Sequence, residues 1–471
     1  MIRSRQKRAS SRTWLPSRRR DSVAVELGDP FRVAVIGGGP AGALFAYFFL
    51  KLAQVVGLEG QLDIYESRDF TRSGPPGCNM CGGIVSESLV QILAAEGVNL
   101  PPGIVQRGID AYVMHAGGGT VRIETPLHEK RIAAVYRGGG PRGAEGMQDR
   151  SFDRHLLDLA GSLGARVVRA RVDGVRSDNG RPVIEPRNQE PAAHDLVVVA
   201  TGINTADLKS PDGLPAKYGA PKTVRTHIRE FALGERPADD RLGSAMHVFL
   251  PNLAGLEFAA LIPKGDYATL CILGDQIDEE VVQKLLESPD ARPCFPDEVR
   301  EAPNLCRCFP QINVRGARQP FADRVVFIGD AGVTRLYKDG IGAAYRAAKA
   351  AATTAVFQGV SADDFRRHYW PICRAMARDN FIGKVMFALT QQFMKIGPAR
   401  RGVLRMTAAE QRTEGRPRPM SLVLWDMFTG SAPYREILMR AVRPVFLIRL
   451  FWNMTIETWP IRRWVRQEVA S

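Results

Sequence analysis

The chain is expected to be an α/β protein, with a three-layer Rossmann-like nucleotide domain, an antiparallel-sheet domain interrupting it and a helical C-terminal region. Three observations predict this. The β-branched run Phe31–Ile36 ends in glycines and leads into a helical stretch, Ala43–Ala53. A second strand-then-glycine passage, Arg324 to Gly332, comes about 290 residues later and precedes an Ala-rich helix from about Gly342 to Phe357. Between them, Ala245–Leu250, Leu256–Ile262 and Tyr267–Leu273 read as strands rather than helices.

The first passage has the spacing of a dinucleotide fingerprint. Gly37 permits a tight turn, Gly39 lets the backbone approach a pyrophosphate, and Gly42 lets helix and strand pack closely, with Ala41 between them. The N-terminus of the following helix favours phosphate charge. Gln61–Tyr65 reads as the next strand, and Glu66 at its end is suited to a ribose hydroxyl pair. The same glycine spacing recurs at Gly138–Gly143, but no apolar helix and no second βαβ unit follow it, so that copy is expected to be a loop.

The second passage supplies Gly329 and Asp330, whose carboxylate can accept hydrogen bonds from ribose or ribitol hydroxyls. Gly340, Ile341 and Gly342 open the Ala-rich helix, whose N-terminus can stabilise negative charge on a reduced isoalloxazine ring. Leu196–Val199 is a further strand, ending in the small-residue turn Ala200, Thr201, Gly202. Two halves so arranged point to a flavin dinucleotide, FAD, as cofactor.

These motifs resemble those of the FAD-dependent oxidoreductases of the para-hydroxybenzoate hydroxylase type. Two further stretches are similar to the geranylgeranyl reductase-like branch of that superfamily: Gly77-Cys-Asn-Met-Cys81-Gly82-Gly83, like its Cys-Gly-Gly loop, and Pro263-Lys264-Gly265-Asp266, like its hairpin. The resemblance implies that Cys81 lines the flavin pocket. It also implies that Arg150, ahead of Phe152-Asp153 and Leu156, reaches FAD. The Arg150 spacing is one residue shorter than the pattern, which leaves Arg137 and Arg142 as substitutes. The loop after Asp330 also lacks the family's proline. The implied activity is reduction or dehydrogenation of a hydrophobic, isoprenoid-type lipid or small molecule by hydride exchange at flavin N5. The electron donor is left open among NADPH, NADH and ferredoxin. The rivals are a flavin monooxygenase acting on a small apolar or aromatic substrate, and a flavoprotein that binds a membrane or partner without turnover.

The domains are expected at 1–28 (a basic tail), at 29–102, 148–210 and 310–360 (FAD-binding), at 103–147 and 211–309 (substrate-binding) and at 361–471 (helical). The formal charge of +14 is concentrated at the ends: eight basic and no acidic side chains in the first twenty residues, seventeen basic and seven acidic in 371–471. Without aromatic-interleaved basic repeats or zinc-finger spacing, nucleic acid is not an expected partner. The stretches Phe381–Phe393 and Val445–Met454 are apolar with basic edges, consistent with packing on the body or with a peripheral membrane contact. The seven scattered cysteines indicate a reducing, cytoplasmic setting, at the inner face of a membrane if lipid is the substrate; the Arg-rich N-terminus leaves organelle import open. Cys78/Cys81 and Cys306/Cys308 are more than 200 residues apart without matching histidines, so no metal set is expected from spacing.

Overall fold

A computed structural model describes residues 25–455, apart from 118, 127–130, 145–147, 204–216, 252, 254, 275–276, 297–305 and 414. The Arg-rich segment 1–20 lies outside the described residues.

The sheet that positions the site has six strands in the order Phe321–Ala322, Val325–Phe327, Leu196–Val199, Phe31–Ile36, Gly60–Tyr65, Arg166–Val168. All neighbours run parallel except the first pair. Side-chain alternation divides its two faces. Val33, Val35, Leu196 and Val198 join one core with helices Pro40–Val56 and Gly340–Phe357. Ala34, Ile36, Val197 and Val199 face Val172, Val175 and Ile184 of a three-stranded antiparallel sheet. Helices, parallel sheet and antiparallel sheet make three layers. The two helices pack through alanines: Ala43 and Ala46 on one, Ala343, Ala347 and Ala351 on the other, all fully buried. Helix Phe152–Ser162 packs beside the first of them, and its Ser151 accepts a hydrogen bond from the Arg154 amide at 3.2 Å, an N-cap.

The interrupting region builds a seven-stranded sheet in the order Cys306–Cys308, His227–Ala232, Tyr267–Gly274, Leu256–Lys264, Ala245–Phe249, Ala111–His115, Thr120–Glu124. One pair departs from the antiparallel expectation: Ala111–His115 runs parallel to Ala245–Phe249. The chain between them crosses the nucleotide domain, and so long a connection can return in either direction. A small antiparallel sheet, Ile84–Val85, Ile132–Val135 and Val105–Ile109, bridges the two regions.

The C-terminal helices dock on the body. Trp425, fully buried, meets Tyr112 edge-on and donates to Glu87 Oε1 at 3.0 Å. Tyr434 donates to the Leu336 carbonyl at 2.7 Å. Arg335 donates to the Gly430 and Ala432 carbonyls, and Lys338 to those of Asp426 and Met427. Among the described residues, no helix is long and apolar enough to cross a membrane.

Candidate dinucleotide and substrate site

The register of the parallel sheet aligns Ile36 with Tyr65 and with Val199, and Val199 with Phe327. The residues that follow, Gly37, Glu66, Ala200 and Ile328–Gly329, therefore gather along one carboxyl edge, where open α/β sheets bind ligands. The backbone at Gly37 has φ +104°, and a Cβ there would overlap the Ala200 carbonyl oxygen. A Cβ on Gly42 would overlap the Gly37 carbonyl oxygen. Gly329, at φ +61°, comes so close to the first helix that an added Cβ would lie 2.7 Å from that of Ala41. The two glycine passages thus touch.

Gly39 is different. A Cβ there would meet nothing nearer than Asn79 Nδ2 at 3.5 Å and Arg137 Nη2 at 3.9 Å. Its face is open, with two nitrogen donors, Asn79 Nδ2 and Arg137 Nη2, at its edge, a cradle that a phosphate fits.

A chain of hydrogen bonds frames this cradle. Glu66 accepts from the Gly38 amide at 2.8 Å and from the Arg68 amide at 2.8 Å. Arg68 donates to Asn79 Oδ1 at 2.7 Å and to the Cys78 carbonyl at 2.9 Å. Asn79 donates to Asp153, which also receives Arg137 through Nε and through Nη2. Asp153 is wholly buried and Arg137 nearly so. Burial pushes the Asp153 carboxyl up, and Arg137 with Asn79 only partly offsets it. Arg137 itself, against the pull of burial, is held charged by Asp153. The guanidinium also lies within electrostatic reach of Cys81 and Asp330. Strand Ile132–Val135 of the bridging sheet delivers it there.

Asp330 is open to solvent, yet crowded by protein; partial desolvation raises its carboxyl, opposed by Thr334 and Arg137. Gly202 ends the third strand's turn with φ +67°. Gly340 is exposed at the start of the Ala-rich helix, whereas Ile341 and Gly342 are buried. Asp339, paired with Arg335 at 3.0 Å and Arg346 at 2.6 Å, lies where a Gly342 side chain would be. Arg150 is exposed in the short turn Gln148–Arg150; the arginine beside Gly39 is Arg137. The tertiary route from Ile132–Val135 was not visible in spacing.

Beyond Arg137 a pocket is lined by Cys78, Met80, Cys81, Tyr136, Ile228, Glu230, Lys264, Cys306 and Cys308, among others. The two cysteine pairs, remote in sequence, therefore share one pocket. Cys78 and Cys308 are raised by burial, Cys308 to about 12, so both are thiols rather than thiolate nucleophiles at neutral pH. Glu230 is likewise raised by burial, with Lys264 and Thr269 opposing; Thr269 holds its carboxyl at 2.8 and 3.0 Å. Lys264 is buried, with Nζ 5.0 Å from the centre of the Tyr136 ring. The glycine copy at Gly138–Gly143 is a loop: Gly138 and Gly139 lie so close to the 71–78 backbone that a side chain on either would collide with it.

No family model matches the chain. Kynurenine 3-monooxygenase of Salinispora arenicola is 27% identical over 346 residues, which cover 67% of this chain and 70% of the relative. A geranylgeranyl bacteriochlorophyll reductase-like protein of Thermoplasma acidophilum superposes with TM-score 0.60 at 16% identity, over 90% of this chain and 99% of that one. The halogenase PltM in complex with phloroglucinol and FAD gives 0.57 at 13%, over 92% and 93%. A flavoprotein/dehydrogenase of Cytophaga hutchinsonii gives 0.56 at 14%, over 90% and 98%. At these identities the shared property is the fold: the chain has the architecture of the flavin-dependent oxidoreductases that the sequence motifs resemble.

Proposed function

We propose that the chain is an FAD-dependent oxidoreductase. The observation that carries this is the contact between Ala41 and Gly329, which joins the two glycine passages along one sheet edge. The open face of Gly39, with Asn79 and Arg137 at its edge, fits a pyrophosphate. Glu66 keeps lone pairs for a ribose while pinning the Gly38 amide, and Asp330 is free to accept from hydroxyls on the other side of the cleft. Gly202, Gly340, Ile341 and Gly342 complete that side. When bound, FAD would supply hydride transfer.

The pocket beyond Arg137 suits reduction of a hydrophobic substrate. Net reduction of a carbon–carbon double bond needs a hydride and a proton. Glu230, whose carboxyl burial favours in the protonated form, can hold that proton, and Lys264 beside it can restore charge balance after transfer. Met80, Ile228 and Tyr136 exclude water and give an apolar wall, with Cys81 at the end nearest Arg137.

A monooxygenase reading is favoured by one observation, the kynurenine 3-monooxygenase relative. Anaerobic reduction of the purified protein by NADPH, NADH or reduced ferredoxin, then mixing with oxygen or with polyprenyl lipids, separates the two. Reoxidation by lipid, with a saturated product, supports the reductase; reoxidation by oxygen alone, with hydroxylated product, sinks it. The lipid reading also draws on helix Pro444–Thr455, where Val445, Ile448, Phe451 and Trp452 are 63–68% exposed beside Arg449, a face suited to a membrane interface.

A further inference from the structure

Away from the cleft, three side chains from separate segments meet inside the sheet region. His115 ends strand Ala111–His115, and His247 lies in the parallel neighbour, where Phe249 is the register partner of His115. Cys294 closes the short turn Arg292–Cys294 that follows helix Glu279–Leu286. All three are buried, at 7%, 6% and 3% exposure. His115 Nε2 is 2.9 Å from His247 Nδ1, and Cys294 Sγ is 3.2 Å from the same nitrogen. One nitrogen or sulfur of each lies within 4.8 Å of the others.

Two hydrogen bonds converge on one atom of this junction. An imidazole nitrogen offers one in-plane site, either a lone pair or an N–H. His247 Nδ1 faces two partners and must share that single site between them. A cation among the three atoms gives every lone pair a use. The far nitrogen of His115 is 3.1 Å from Thr120 Oγ1, the kind of orienting contact that metal-bound imidazoles make. Two imidazoles and one thiolate suit a borderline-soft divalent ion, and the thiolate offsets half its charge in an interior where Phe249 stacks on His115. A surface hollow is lined by Arg241, Pro289, Arg292 and by Pro293 and Phe295, the chain neighbours of Cys294.

We propose that His115, His247 and Cys294 form a zinc site with one position left to water, tying the turn after helix Glu279–Leu286 to the sheet. The ion neutralises the Cys294 thiolate and releases its proton. The test titrates zinc into chelator-treated full-length protein, in competition with a chromophoric chelator, and then repeats the titration with cobalt. One equivalent of zinc and a thiolate-to-cobalt charge-transfer band are expected. Loss of an orienting partner weakens such sites about 10–100-fold, so loss of a ligand in Cys294→Ala or His247→Phe is expected to exceed that and to abolish the band. Flavin content and circular dichroism report folding, and Cys294→Ser replaces Cys294→Ala if the latter does not fold. Absence of stoichiometric zinc binding by the wild-type protein overturns the proposal, as does a cobalt–thiolate band that survives in Cys294→Ala or Cys294→Ser.

Discussion

Arg137 and Asp153 form a bidentate pair at the centre of the cleft, with Nη2 3.0 Å from Oδ2 and the carboxylate wholly buried. The pair has a structural and a binding role, because the same guanidinium borders the open face of Gly39. Breaking a buried pair from one side costs about 3–5 kcal/mol. Asp153→Ala is therefore expected to lower unfolding free energy by about that amount, measured by urea denaturation. Arg137→Met with Asp153→Leu together is expected to lose less stability than the sum of the singles, yet to retain little flavin.

Gly39 and Gly42 separate folding from binding. Gly39→Ala meets no atom nearer than 3.5 Å and has an ordinary φ of −67°, so the apoprotein is expected to keep its stability within about 0.5 kcal/mol while FAD binds at least about tenfold more weakly. Gly42→Ala drives a methyl into the Gly37 carbonyl and is expected to cost stability as well. Thermal melts of apoprotein and fluorescence titration with FAD distinguish the two.

Glu230→Gln keeps the Thr269 hydrogen bond but removes the proton store. The rate of substrate reduction is expected to fall by about 10²–10⁴-fold, the range of general acid catalysis, and to lose the limb of the wild-type pH profile at which Glu230 deprotonates. The rate of flavin reduction by the donor is expected to be unchanged. Single-turnover kinetics across pH checks both.

Buried histidines make the fold sensitive to acid. Burial lowers His115 and His227 to about 4 and His247 to about 3, from an ordinary value of 6.5. Between 6.5 and about 4 the unfolded chain binds more protons, so stability falls as pH drops through that window. His227 has no hydrogen-bond partner on either ring nitrogen among the described residues. His227→Leu is expected to flatten the pH dependence of the melting temperature in chelator-treated protein.

The fold was legible wherever local pattern and tertiary role agree. The strand at Phe31–Ile36 and the Ala-rich helix both carry their own signals. Gly37, Gly42 and Gly329 were legible because backbone crowding leaves only glycine. Arg137 was legible only as one of two substitutes for Arg150, since its place beside Gly39 depends on a strand from another region and on Asp153, 16 residues away. Convergence of Cys78 and Cys81 with Cys306 and Cys308, and of His115 with His247 and Cys294, likewise arises from loops and turns packing on sheet strands over distances that spacing does not encode. The parallel pairing of Ala111–His115 with Ala245–Phe249 is the topological fact behind the histidine junction.

The edge joining Ala41 to Gly329 is predicted to hold FAD. The most direct measurement is the flavin released by denaturing the purified full-length protein, followed by titration of the stripped protein with FAD. About one FAD per chain, with rebinding lost in Gly39→Ala combined with Asp330→Ala, is the result predicted. A folded protein that carries no flavin and takes up none on titration would contradict it.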